Sequence, residues 1–284
     1  MSIEIKNITK SFGDTCALDH VTLTFGDDKI YGLLGNNGAG KTTLMSILTG
    51  RQYPSEGTVT VDGESIVNND AALGKVFLVA EQNMFPEDMK VKKAFDAAEL
   101  FYPDFDREYA EKLAKKFNLN EKKKIKALST GYSSIFRLIL GLSVNTPYLI
   151  FDEPVLGLDA QHRDMFYRIL LEKYAEKPCT IIISTHLIAE AADLIEHAII
   201  IRDGRILKDC PREELTHEAY SISGPAGLVD NFIEGKHVLS VSVLGGLKTA
   251  CVQGQRTALP EGLEFSAINL QDYFINLMEE EDKK

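Results

Sequence analysis

The segment Ile30–Thr43, IYGLLGNNGAGKTT, constrains the fold of this chain more than any other. Its first five residues are apolar and follow Gly26, Asp27 and Asp28, the pattern of a short strand leaving a turn. Gly35, Asn36, Asn37, Gly38, Ala39, Gly40, Lys41 and Thr42 fill a G-x-x-x-x-G-K-T spacing, with Thr43 next. Glycines at 35, 38 and 40 let the backbone turn tightly and aim successive N–H groups inward, as bound phosphate oxygens require. Helix-forming residues Lys41–Leu48 follow, so an anion held by the loop also sits at a helix N-terminus. In that arrangement Lys41 reaches the β- and γ-phosphates and the Thr42 hydroxyl holds Mg²⁺. Strand, phosphate loop and helix in immediate succession require an α/β fold.

A second segment supplies the other half of the chemistry. Pro147–Phe151, PYLIF, is an apolar run suited to a strand buried on both faces, and it ends in the adjacent acids Asp152 and Glu153. Neighbouring strand residues point to opposite faces, but a chain that turns at the strand end aims both acids at one site. Asp152 then binds Mg²⁺, directly or through water, and Glu153 orients or deprotonates an attacking water. A solvated acidic turn has the same residues; the phosphate loop upstream favours hydrolysis of a nucleoside triphosphate.

Composition sets limits on the alternatives. With 284 residues, 44% hydrophobic and 26% charged, the chain can build one large α/β core and a smaller appendage. No apolar stretch reaches the roughly 18 residues of a membrane span, and MSIEIKNITK has no apolar signal region. The expectation is a soluble protein that meets a membrane only through a partner. The net charge of −11, from 31 basic and 42 acidic residues, argues against a nucleic-acid partner. Lys122–Lys124 with Lys126 form a basic run that a solvated loop explains equally well. Cys16, Cys179, Cys210 and Cys251 are widely spaced, as expected of reduced thiols in a cytosolic chain, and the histidines show no metal-ligand spacing.

Hydrophobic patterning orders the rest. Ile3–Ile8, Ala17–Phe25 and Gly57–Val61 alternate like strands of an antiparallel layer, and Leu73–Ala80 is a further strand candidate. Val91–Leu119 reads as amphipathic helices broken at Tyr102–Pro103, the start of a helical lobe over about 87–145. Ser129 is placed to cap a helix running to Val144. A helix over Asp159–Tyr174, a strand over Thr180–Ser184, a helix over Leu187–Ile195 and a strand over Ala198–Ile201 complete a mostly parallel sheet with helices on its faces. The pattern divides the chain into residues 1–211 and a small α+β extension, 212–284. In the extension, Val238–Val243, Thr249–Val252 and Glu264–Ile268 suggest strands and Gln271–Glu280 a helix.

The order of these motifs resembles that of the ATP-binding subunits of ATP-binding cassette (ABC) transporters, strongly over residues 1 to about 210. Within that family it is similar to bacterial subunits serving separately encoded ABC-2-like membrane proteins, including those encoded beside GntR-type regulators. GNNGAGKTT matches the Walker A motif and LIFDEP the Walker B motif with its glutamate. LSTGY, Leu128–Tyr132, resembles the signature LSGGQ, with Thr130 for Gly and Tyr132 for Gln. VLGLD, ending at Asp159, resembles the D-loop, and His186 in STH stands where the switch histidine does. Phe12 takes the place of the adenine-stacking tyrosine, a role that needs only the ring. In VAEQN, Glu81 or Gln82 takes the place of the Q-loop glutamine, as a further Mg²⁺ or water ligand.

The resemblance implies an ATPase whose cofactors are ATP and Mg²⁺, with Lys41, Glu153 and His186 catalytic. It implies a homodimer or heterodimer in which Ser129 and Gly131 face the partner chain's ATP. It also implies a separate transmembrane permease, expected to be an exporter, driven from the cytoplasmic face of the cell membrane. The permease's coupling helix is expected near Glu81 and the lobe, where Phe95, Phe101, Tyr102 and Phe105 either form that surface or pack inside. A non-transport ABC ATPase and a nucleotide-dependent regulatory module are the alternatives. The first lacks its usual coiled coils or tandem cassettes, and the intact acids and histidine disfavour the second.

Overall fold

The computed structural model describes residues 1–26 and 28–282; Asp27, expected in the turn before the phosphate loop, lies outside them. By contact density the chain forms two compact units, residues 1–186 with 199–209, and residues 187–198 with 210–284.

In the first unit, strands Ile3–Phe12, Thr15–Phe25, Glu56–Val61 and Glu64–Ser65 form an antiparallel sheet. Alternation places Val21, Leu23 and Phe25 in the core and Thr22 and Thr24 in solvent. A strict period would turn Ile8 outward after Ile3 and Ile5. One extra residue between the Ile5–Leu23 and Ile8–Val21 pairs corrects this, with Asn7 left-handed (φ 53).

The central sheet has the order Arg205–Pro211, His197–Arg202, Ile30–Leu34, Thr180–Thr185, Tyr148–Asp152, Val76–Val79, and its last four strands are parallel. Every residue of Ile30–Leu34, Tyr148–Asp152 and Thr180–Thr185 is buried, as continuous apolar runs in a sheet covered on both faces must be. Only Val76–Val79 of the expected Leu73–Ala80 strand is extended. Asn69 caps a short helix, Asp70–Leu73, by accepting the Ala72 N–H at 3.1 Å, and that local bond overrides the apolar pattern. Of the expected Leu187–Ile195 helix only Ile188–Ala191 is helical.

Helices Val91–Phe101, Arg107–Lys116 and Thr130–Ser143 pack around Phe95, whose ring lies 6.0 Å from Phe136 and 6.3 Å from Phe105. The last of these helices lies close against the sheet edge, where a Cβ on Gly141 would collide with Val79.

In the second unit an antiparallel sheet has the order His237–Leu244, Leu247–Gln253, Ala219–Pro225, Glu264–Ala267. Tyr220, Ile222, Val229, Phe232, Ala250, Val252 and Leu263 form its core. Ala219–Pro225, an inner strand here, gave no sequence signal: its run AYSISGP is short of apolar residues and ends in Gly and Pro. Among the described residues no helix is long and apolar enough to cross a membrane.

Candidate functional site

The C-terminal ends of the parallel strands gather the sequence-predicted residues at one place. After Ile30–Leu34 the chain enters the loop, in which Asn36, Asn37 and Gly38 are exposed while Gly35, Ala39 and Gly40 are buried. Gly40 begins helix Lys41–Leu48 with φ +105, and a Cβ there would lie 2.6 Å from Ala17 O. Both space and backbone therefore demand glycine. A Cβ on Gly35 would lie 2.5 Å from Ile201 O, so the neighbouring strand fixes the other end of the loop. The contact at Ala17 brings strand Thr15–Phe25, and with it the Phe12–Thr15 turn, alongside the loop. Phe12 is 48% exposed, with the Lys10 ammonium 5.1 Å from its ring centre. That leaves an aromatic face open to a flat ligand.

Lys41 is 6% exposed and its ammonium donates to Gly35 O at 2.6 Å and Asn36 O at 3.2 Å. Burial lowers its pKa, while the carboxylates of Glu153 and Asp152 act in the opposite sense. Its nitrogen is 3.8 Å from Glu153 Oε1. Thr42 donates to Asp152 Oδ2 at 3.0 Å, and Ser184 donates to Asp152 Oδ1 at 2.8 Å. Thr43 is half-buried one position further along the helix.

Glu153 adopts φ +48 immediately after the strand, and its N–H donates to Ser184 O at 2.9 Å. This left-handed residue turns the chain so that two adjacent acids serve one site. Glu153 Oε2 accepts from Thr185 Oγ1 at 3.2 Å; Oε1 accepts the His186 N–H at 3.1 Å and lies 2.8 Å from His186 Nδ1. One carboxylate thus spans the loop lysine and the histidine. Among the described residues no cluster of three or more His, Cys, Asp or Glu could hold a metal. The Thr42–Asp152 pair is instead a hard oxygen site of the kind that suits Mg²⁺, which binds one or two protein groups together with substrate phosphates.

Ser129 caps helix Thr130–Ser143, its Oγ accepting the Tyr132 N–H at 3.4 Å, and it is exposed. Gly131 packs so closely on the 155–159 segment that a Cβ would lie 3.1 Å from Gly157 O. Asp159 caps helix Ala160–Glu176, accepting the His162 N–H at 2.9 Å and lying 2.8 Å from His162 Nδ1. These bonds hold its exposed carboxyl below the ordinary range. Among the described hydrogen bonds and ion pairs, none joins Ser129, Gly131 or Asp159 to residues 35–43 of the same chain.

Glu81 and Gln82 are both exposed in the segment after Val76–Val79. Gln82 lines a cavity of 560 Å³, walled also by Phe77, Met84, Phe101, Tyr102 and Arg137. The four lobe aromatics divide. Phe95 and Phe105 are buried in the lobe and have no surface to offer. Phe101 is 75% exposed, and Tyr102 stands edge-on to Phe77 at 4.9 Å. Sequence reasoning passed over Ser134, which donates to Leu156 O at 3.0 Å, and Arg137, which donates to Ala80 O at 3.1 Å and Ser134 Oγ at 2.8 Å. A lone arginine in the otherwise apolar run IFRLILGL was the available signal.

A phosphate loop, a buried aspartate with a half-buried glutamate beside it, and a histidine, all gathered at the C-terminal ends of the parallel strands, define a P-loop ATPase. The comparisons with known proteins specify it further: the chain belongs to the ATP-binding proteins of the ABC transporter family. The family profile described as ABC transporter matches residues 18–156. The Nod factor export ATP-binding protein I of Burkholderia lata is 30% identical over 235 residues, which span 78% of this chain and 77% of that protein. The ABC transporter ATP-binding protein YtrB of Bacillus subtilis is 28% identical over 220 residues, 78% of this chain and 75% of YtrB. The galactose/methyl galactoside import ATP-binding protein MglA of Clostridium perfringens is 25% identical over 264 residues, and the match covers 49% of its length. Among solved structures, an ATP-binding subunit of an ABC transporter superposes with a TM-score of 0.69 at 22% identity, covering 76% of this chain and 92% of that one. The dimeric bacterial cassette MJ0796 superposes with a TM-score of 0.66 at 23% identity, covering 74% and 98%. The fold is that of an ABC ATPase, and the chain is an ATP-hydrolysing subunit.

Proposed function

We propose that two ATP-binding subunits, either two copies of this chain or this chain and a related one, close head to tail around ATP and drive a separately encoded permease. Each ATP lies on the phosphate loop of one subunit, with Phe12 against the adenine and Ser129 and Gly131 of the other subunit against the γ-phosphate. The observation that carries this reading is the position of Glu153, its carboxylate set between Lys41 and His186 at the end of a buried strand. Glu153 orients and accepts a proton from the attacking water, His186 holds that carboxylate and contacts the γ-phosphate, and Lys41 offsets charge developing on the phosphate. Thr42 and Asp152, with Glu81 or Gln82 as a further oxygen ligand, would hold Mg²⁺, which would supply electrostatic stabilisation of the phosphates. Asp159 belongs to the loop that meets the partner.

The exposure of Ser129, whose described hydrogen bonds are to its own helix and none to its own phosphate loop, supports a shared site: the side chain is available to a second chain. Loss of the γ-phosphate then removes the bridge between the subunits, which converts hydrolysis into motion. Residues 1–211 form the motor in this reading, and 212–284 an extension that tunes pairing or turnover.

The cavity bordered by Phe101, Tyr102 and Met84 supports the docking of a permease segment, because it leaves an apolar concave surface beside Gln82. We assign the partner to the ABC-2-like membrane proteins encoded beside GntR-type regulators and the direction to export, with the ATPase peripheral on the cytoplasmic face. Affinity purification from membranes tests this. A membrane protein with about six helices is expected to copurify with the wild type and with Glu153→Gln, and to be lost with Phe101→Asp. Retention in Phe101→Asp, or no membrane partner at all, counts against the assignment and favours a non-transport ATPase.

A further inference from the structure

The Arg137 guanidinium ties together two strand exits that the reaction needs in register. Strands Val76–Val79 and Tyr148–Asp152 run parallel with Val79 opposite Phe151, so the chain leaves the first strand at Ala80 beside the departure of the second at Asp152 and Glu153. Arg137, on the helix that Ser129 caps, donates one N–H to Ala80 O at 3.1 Å and another to Ser134 Oγ at 2.8 Å. Ser134 donates to Leu156 O at 3.0 Å, and the Leu156 N–H donates to Glu153 O at 3.2 Å. A continuous set of hydrogen bonds therefore runs from the residue before Glu81 to the backbone of Glu153.

The side chain suits this task. A planar guanidinium donates in two fixed directions at once, which an ammonium cannot reproduce. Burial disfavours the guanidinium's charge, and Glu81 supplies the opposite charge that favours it. An acidic residue at position 81 and a half-buried arginine on the facing helix thus compensate each other.

We propose that Arg137 is a positioning residue for ATP hydrolysis: acting through Ala80 and Ser134, it sets the register between the Glu81–Gln82 segment and the backbone that carries Glu153. The inference rests on Glu153 being the hydrolytic carboxylate, as proposed above. Because none of the described hydrogen bonds and ion pairs joins Arg137 to residues 35–43, its loss is expected to slow turnover without weakening ATP binding.

The test uses the purified full chain with Mg²⁺ and ATP, measuring steady-state hydrolysis and, separately, equilibrium binding of a fluorescent ATP analogue. Arg137→Met is expected to lower kcat by about ten- to a hundredfold, the scale of a misplaced catalytic group, with binding changed less than about twofold. Arg137→Lys is expected to fall between the two. If Arg137→Met does not fold, Ser134→Ala takes its place, with a kcat loss of at least about threefold and unchanged binding expected. The proposal is overturned by a kcat for the folded variants within about twofold of wild type, or by parallel losses of kcat and binding with no advantage of Lys over Met. Glu153→Gln is the control. If that variant turns over normally, the assignment of Glu153 is wrong; if it is inactive while Arg137→Met is unaffected, only the positioning role fails.

Discussion

Glu153 occupies a left-handed backbone conformation that costs a non-glycine residue about 1–2 kcal/mol. The structure offsets that cost with the bond from its N–H to Ser184 O and with three side-chain partners, Lys41, Thr185 and His186. Glutamine keeps the shape and most of these bonds but accepts no proton. Glu153→Gln is therefore expected to fold normally, bind ATP, lose about 10²–10⁴-fold in kcat, and accumulate as an ATP-bound dimer in size-exclusion chromatography. Steady-state hydrolysis at the wild-type rate would contradict the assignment. At this scale the sequence was highly informative. Lys41, Thr42, Asp152, Glu153 and His186 stood in motifs whose spacing names their chemistry, and the structure brings all five within one set of contacts. Arg137 and Ser134 were not legible, because their bonds to Ala80 and Leu156 cross between elements far apart in sequence.

Two junctions between elements carry predictions of their own. Ser129 sits at the exposed start of its helix, where a long cationic side chain would occupy the space proposed for the partner's γ-phosphate. Ser129→Arg is expected to leave ATP binding by the monomer intact and abolish ATP-dependent dimerisation in the Glu153→Gln background. Dimers forming as before would rule out the shared site. The second junction is Asp62, in the turn after strand Glu56–Val61, which accepts from Lys75 and from the Tyr148 hydroxyl, each at 2.6 Å, and from the Ser2 N–H at 3.1 Å. Burial alone would raise its pKa, but the bonds from Lys75 and Tyr148 outweigh that and hold it below the ordinary carboxylate value. A lowered native pKa adds stability that is complete above the unfolded value, about 3.9, and is lost as pH falls through the native one. Asp62→Asn is thus expected to cost about 1–3 kcal/mol in urea denaturation at pH 7 and to lose less than wild type on acidification below pH 4. Equal acid sensitivity of the two proteins would show that Asp62 is not the titrating group. Sequence patterning found the strand before this turn, but neither the short strand Glu64–Ser65 after it nor the bonds Asp62 makes, since a carboxylate at a turn reads the same whether solvated or anchored.

For the whole molecule, the second compact unit has a core on its own antiparallel sheet, in which Ile222 is fully buried. Removing most of that side chain is expected to destabilise the second unit by about 2–5 kcal/mol. Hydrogen exchange should therefore quicken in residues 219–253 of Ile222→Ala, with ATP affinity within about twofold of wild type. Equal loss of protection in the central sheet would mean that the units unfold together. The sequence by itself determined the α/β class, the ATPase chemistry and the residues of the phosphate loop, because each depends on short-range geometry: glycines that turn, an apolar strand that ends in acids, a helix that begins at a lysine. Only the tertiary structure decided which lobe aromatics are core and which line a cavity, that a seven-residue run poor in apolar residues is an inner strand, and that Arg137 links two strand ends. Those outcomes depend on which distant segments become neighbours, and burial, unlike turn chemistry, is a property of the neighbours and not of the residue.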